Sequence, residues 1–138
     1  LARAPPDPVD QRSVHSLAGV HPDLVKVMTF AYGATKQPFL ITSGLRLASQ
    51  EAALVAKGAS TTQHSRHLAG AGGYGCAVDV SCFDARGQLV SADPHPYTGV
   101  AAAVLAASHE LHIPVVWGGD WVHFKDWGHF ELSWRAYP

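Results

Sequence analysis

Three short stretches in the second half of the chain carry the residue types best suited to chemistry. They are Ser65-Arg66-His67, Ala77-Val78-Asp79 and Asp126-Trp127-Gly128-His129-Phe130-Glu131. A hydrolytic zinc site takes three nitrogen or oxygen donors from the protein and keeps a fourth position for water. His67, Asp79 and His129 supply such a set. Asp126 lies three residues before His129, a spacing that sets a second carboxylate beside a ligand without making it one. There it would take a proton from the attacking water and pass it to a leaving amine. On this reading the chain is a small metallohydrolase holding one Zn2+. The separations are too large for one local metal loop, so the reading demands tertiary convergence.

Each of these residues also has a plainer role open to it. Asp79 sits in an otherwise apolar stretch, where a carboxylate needs a partner, and Arg46 or Arg66 would serve as well as a metal. Asp126 fits an Asx-turn, with His129 simply packed on aromatic neighbours. Glu131 shares a strand face with His129, and there it orients a histidine ligand, supports Arg66 or lies at the surface. Arg46 is the best match for a substrate carboxylate because guanidinium is a rigid, two-pronged donor. Its alternative is a solvated arginine after a turn.

The elements that must position these residues are legible in outline. Leu1 to Asp10 holds three prolines and reads as an extended lead-in, followed by a short helix over 13–18 that ends at Gly19. Pro22 and Asp23 open a helix with an apolar stripe at Leu24, Val27, Met28 and Ala31, stopping at Gly33. Phe39–Thr42 has strand composition. Ser49 is expected to cap a helix reaching Lys57, burying Ala52, Val55 and Ala56. Residues 59–75 form a long glycine-rich loop.

From Cys76 to Phe83 the pattern alternates, with Cys76, Val78, Val80 and Cys82 on one face and Asp79 on the other. A turn over 84–87 returns the chain as a hairpin arm near Gln88–Val90. Thr98 is expected to cap a helix to about Leu111, with Ala101, Val104, Leu105 and Ser108 inward and Pro114 limiting its length. Val115–Trp117 and His129–Leu132 complete the strands.

Composition narrows the function classes. A hydrophobic share of 47% across 138 residues implies one domain with a real core. Ten basic against eleven acidic residues leave a net charge of -1 and no basic stripe, which argues against nucleic acid as a partner. No stretch reaches the roughly 18–20 apolar residues that span a bilayer, so no stable membrane association is expected. The opening LARAPPDPVD lacks the apolar core of a secretion signal. Cys76 and Cys82, on one strand, would lie about 20 Å apart, too far for a disulfide. They are expected as core thiols.

These motifs, taken in order, resemble the M15 family of zinc peptidases, especially the small phage endolysins that cleave the L-alanyl-D-glutamate bond of peptidoglycan. His67-Leu68-Ala69-Gly70 with Ala77-Val78-Asp79 is similar to that family's His-x-x-Gly-x-Ala-x-Asp element, and Asp126-Trp127-Gly128-His129 to its carboxylate-x-x-His element. Ser43-Gly44-Leu45-Arg46 and Gln50 resemble its Ser-Gly-x-Arg-x-x-x-Gln segment. Trp117-Gly118-Gly119-Asp120-Trp121 adds to the likeness, which runs from about Val20 to Leu132. One departure is a five-residue opening, Ala71–Gly75, between the two halves of the first element. Its Tyr74 either touches glycan or peptide, or covers the base of its own loop.

The resemblance implies an α+β fold, a small single domain with a short antiparallel sheet flanked by helices, of the M15/Hedgehog-like zinc peptidase type. It implies a lead-in and short helix over 1–19 and a catalytic domain over 20–138. His67, Asp79 and His129 would ligate zinc, Asp126 would be the base, and Arg46 would contact substrate and stabilise the developing oxyanion. Ser65, Arg66, Gln50, Tyr74, Trp127 and Glu131 would surround the ligands or line the substrate rim. The expected substrate is a peptidoglycan stem peptide, cut at L-alanyl-D-glutamate. A D-alanyl-D-alanine carboxypeptidase or dipeptidase, and a non-catalytic peptidoglycan-binding domain, are the alternatives. Synthesis in the host cytoplasm, release by a holin to act in the periplasm or cell wall, and a monomeric state complete the expectation.

Overall fold

The computed structural model describes residues 9–58, 65–90 and 93–138. Its framework is an antiparallel sheet of five strands in the order β1-β2-β5-β4, with β3 also pairing β2. The strands are β1 (Phe39–Ser43), β2 (Ala77–Phe83), β3 (Leu89–Val90), β4 (Val115–Trp117) and β5 (His129–Leu132). Four helices accompany them: α1 (Gln11–Leu17), α2 (Pro22–Ala34), α3 (Ala48–Ala56) and α4 (His95–Leu111). This is the small α+β domain expected, with the short sheet open at its edges.

Alternation along β2 and β5 separates two faces. Val78, Val80 and Cys82 of β2 are buried with Phe130 and Leu132 of β5, in one core with the α2 stripe Leu24, Val27, Met28 and Ala31. From α4 the core receives Tyr97, Val100, Ala101, Val104 and Ala107. Asp79 of β2 and His129 and Glu131 of β5 fall on the other face, as the period of two requires. A sheet dry on one face presents polar residues on the second. Cys76 and Cys82 are buried free thiols, and burial pushes the Cys82 thiol up to about 12.

Three local expectations are corrected. The third helix begins at Ala48 and is preceded by Leu47, not capped by Ser49. The Gln50 side chain accepts from the Leu47 backbone N–H at 2.7 Å, satisfying one of the donors a helix start leaves open. Its buried residue is Glu51, while Ala52 and Ala56 are exposed, because an ion pair rather than apolar packing anchors this helix. The fourth helix starts at His95, three residues before Thr98. Pro96 lacks an N–H to satisfy in the first turn, and Asp93 accepts from the His95 N–H at 2.9 Å. Finally, α2 runs through Gly33 to Ala34.

The first helix is tied to the sheet. Asp10 caps it, accepting from the Ser13 N–H at 2.9 Å, and the Ser13 hydroxyl in turn accepts from the Ile41 N–H of β1 at 2.9 Å. The Ala71–Gly75 segment forms a single 3-10 turn over Ala71–Gly73 and then returns along Val20. Gly75 donates to the Gly19 carbonyl at 3.0 Å and accepts from the His21 N–H at 2.9 Å, so the extra loop closes on the start of α2. No helix among the described residues is long and apolar enough to cross a membrane.

Candidate metal centre

Asp79 and His129 are direct cross-strand partners in the β2–β5 pairing, a register that holds opposing side chains about 5 Å apart at their β-carbons. His67 arrives from a loop whose backbone is pinned on both sides. The Arg46 N–H donates to the His67 carbonyl at 2.8 Å, and the Cys76 N–H donates to the Arg66 carbonyl at 2.9 Å. One donor atom from each of His67, Asp79 and His129 lies within 4.8 Å of the others. The residues separated by the five-residue opening thus converge at the sheet face.

Hydrogen bonds choose the nitrogen each imidazole turns inward. His67 Nδ1 lies 2.8 Å from the Gly44 carbonyl oxygen; a carbonyl only accepts, so Nδ1 carries hydrogen and Nε2 faces Asp79 Oδ2 at 3.3 Å. His129 Nε2 is 2.8 Å from Glu131 Oε1, which leaves Nδ1 facing Asp79 Oδ1 at 3.2 Å. A tetrahedral ion with bonds of about 2.0–2.1 Å has donor-to-donor edges of roughly 3.3 Å. The two histidine–carboxylate distances, each to a different oxygen of Asp79, are of that size, and the donor types suit a small divalent ion. Outer carboxylate or carbonyl partners on each imidazole are also what metal-binding histidines require.

Electrostatics follow from this crowding. Burial favours the neutral acid at Asp79, but hydrogen bonds from His129 and His67 outweigh it and hold the carboxyl far below the usual range. Burial also disfavours the charged His129 ring. Its bonds to Asp79 and Glu131 prevail and raise it to about 9.

Asp126 stands beside this group. A Cβ placed on Gly118 would meet both Asp126 Cβ and His129 Cβ at 3.1 Å, which measures how closely the two side chains flank that glycine. The same atom would run into the Asp126 carbonyl oxygen, so only glycine permits the turn. Gly128 is equally constrained, since a side chain there would strike the Val80 carbonyl. Asp126 and Asp79 line one cavity of about 390 Å³. Burial and the negative charge of Asp79 raise the Asp126 carboxyl above its ordinary value, with His129 opposing. A carboxylate raised in this way is a better proton acceptor than a solvated one.

Arg46 is shared between two acids. One arm of its guanidinium bonds Asp79 Oδ2 at 2.8 Å and the other bonds Glu51 Oε2 at 3.1 Å. Glu131 reaches beyond His129 to Arg66, whose Nε is 3.9 Å from Oε2. Arg66 itself binds the end of the chain, donating to the Leu132 and Tyr137 carbonyls at 2.9 and 2.8 Å and stacking on Trp134. Of the other expected rim residues, Trp127 lines the cavity of Asp79 and Asp126, and Gln50 lines a second hollow with Arg46. Ser65 accepts from the His67 N–H at 3.1 Å, and Gln50 caps its own helix. Trp127 accepts from the Trp117 indole through its carbonyl at 2.7 Å. The Tyr74 ring packs edge-on to His21 at 5.5 Å, covering the base of the inserted loop.

Two participants escaped the sequence reading. The Gly44 carbonyl has no side-chain signature. Glu51 had one, an acid on the side of a helix that must face inward, five residues after the arginine. Glu51 is 1% exposed. Replacing Glu51 by alanine leaves Arg46 bonded to Asp79 and is expected to cost about 1–2 kcal/mol in urea unfolding, below the range for breaking a fully buried pair because Arg46 keeps 19% exposure and a second acid. Glu51→Gln, which preserves a hydrogen bond, is expected to lose less than half as much.

Two imidazoles and a carboxylate on a sheet face, with a further raised carboxylate beside them, form a donor set consistent with a metallohydrolase. The family model for phage L-alanyl-D-glutamate peptidase matches residues 8–132. The chain belongs to that family and is a peptidase. Among solved structures it is similar to the Serratia marcescens L-Ala D-Glu endopeptidase ChiX, at 40% identity and a TM-score of 0.80 over 91% of this chain and 90% of that one. No curated protein sequence matches significantly.

Proposed function

We propose that this peptidase hydrolyses the L-alanyl-D-glutamate amide of peptidoglycan stem peptides with one zinc ion held by His67, Asp79 and His129. The observation that carries this reading is the convergence of one donor atom from each of those residues to within 4.8 Å of the others, with Asp126 beside them. Two nitrogens and one oxygen form a donor set typical of catalytic zinc. When bound there, zinc supplies a Lewis acid for the scissile carbonyl and lowers the pKa of water toward roughly 7.

The chain's own residues supply the rest. The Asp126 carboxylate takes the proton of the attacking water and returns it to the leaving nitrogen. Glu131 holds Nε2 of His129, and the Gly44 carbonyl holds Nδ1 of His67, fixing both rings. Arg46, locked between Glu51 and Asp79, keeps a fixed positive charge at the rim for the oxygen that becomes negative.

Digesting purified peptidoglycan with zinc-loaded protein, then labelling and weighing new amino termini, tests the reading. New N-terminal D-glutamate is expected. It should vanish on chelation and return with zinc. Release of free D-alanine in its place would refute the assignment of the bond, and no release with metal present would refute catalysis.

A further inference from the structure

Val122 and Phe124, in the loop between β4 and β5, are 86% and 56% exposed. Large apolar side chains left in water add nothing to the core, and where they cluster they mark a contact surface. They line a hollow of about 560 Å³ with Asp120, Trp121 and His123. The Phe124 ring stacks on Trp121 at 6.4 Å, and Trp121 leans on the ring of His129 at 5.1 Å. An aromatic surface thus runs from a metal ligand out to solvent.

The loop is closed at its neck. The N–H groups of Trp121 and Asp126 both donate to the Gly118 carbonyl, at 3.3 and 3.0 Å. The Lys125 ammonium donates to the Gly119 carbonyl at 3.0 Å. These bonds hold the two rings in a fixed place relative to His129 and Asp126.

Resting on the peptidase reading above, we propose that Trp121 and Phe124 form a subsite for the muramyl sugar that precedes the alanine of the stem peptide. The alanine amino group is joined to that sugar through its lactyl arm, so a pyranose ring stands one residue from the scissile bond. The alanyl residue and the arm together span about 7 Å, comparable with the step from Trp121 to Phe124. A pyranose offers an apolar face to aromatic rings, and its hydroxyls suit an acceptor such as the exposed Asp120 carboxylate. The alanyl and sugar half carries no charge. The glutamyl half carries a free carboxylate, which Asp120 would repel. The loop therefore selects the neutral half and fixes the direction in which the peptide crosses the ligands.

The test compares one synthetic stem peptide with the same peptide carrying N-acetylmuramic acid on its alanine. Zinc-loaded wild-type protein is expected to favour the sugar-bearing form by roughly fivefold in kcat/KM, the scale of one aromatic stacking contact. In Phe124→Ala the ratio should fall to about one, while Phe124→Tyr should keep it. Metal content and melting temperature should hold in both variants, because Phe124 is exposed. Calorimetry on metal-free protein gives a readout that needs no turnover: the sugar-bearing peptide should bind more tightly by a similar factor, and Phe124→Ala should abolish the difference. Equal use and equal binding of both peptides by the wild type would overturn the proposal, as would a preference that survives Phe124→Ala. If neither peptide is cut, the peptidase reading fails, and the calorimetric difference still decides the sugar subsite.

Discussion

Asp126→Asn lowers kcat by a factor of about 10²–10⁴, the usual contribution of a positioned general base, while zinc content stays near one per chain. The substitution keeps the side chain's shape, so the close approach of Asp126 Cβ to Gly118 is unchanged. It removes only the capacity to accept a proton. KM is expected to change little, since the lost interaction is made in the transition state. The raised carboxyl of Asp126 also sets a sign for the pH profile. Activity depends on the ionised form, so the acid limb of kcat/KM should lie above the ordinary carboxylate range and flatten in the variant. Atomic absorption with steady-state kinetics checks both parts. Loss of zinc along with turnover would remove Asp126 from the role of base.

His129→Ala, in contrast, is expected to abolish zinc binding and turnover together. The loss in affinity should exceed the roughly 10–100-fold that follows removal of an outer partner of a ligand. The wild-type affinity should itself depend on pH. Asp79 and Glu131 hold a proton on metal-free His129 up to about 9, and zinc must displace it. Affinity then rises about tenfold per pH unit below that value and levels off above it.

Stability of the metal-free form has the opposite trend. A group raised from 6.5 to about 9 on folding contributes stability that is complete below 6.5 and disappears as pH rises through 9. Melting temperatures of chelated protein should therefore fall across that interval, and zinc should cancel the decline. A decline that persists in metal-free His129→Ala would show that another group carries the proton.

Much of the framework was readable beforehand for a physical reason. Where one face of a strand or helix must be dry, periodicity reports it directly. Cys76 to Cys82 and the α2 stripe are such cases, and every residue assigned inward there is buried. Helix starts were less legible. Ser49 and Thr98 have good capping side chains, yet the termini fall at Leu47 and Pro94, because Gln50 and Asp93 answer the same open donors from positions that propensity does not single out.

The amino-acid sequence alone determined the chemical inventory: two histidines, two aspartates and an arginine in an order that resembles one peptidase family, and the alternation that puts Asp79 and His129 off the apolar face. Only the tertiary structure decided which of them meet. The β2–β5 register sets Asp79 opposite His129, the Arg46 and Cys76 N–H groups hold the carbonyls of His67 and Arg66 across the inserted loop, and a buried Glu51 sets the direction of Arg46. Local sequence encodes the side on which a residue faces. Pairing register and loop closure depend on contacts between distant segments, and no short window of the chain contains both partners.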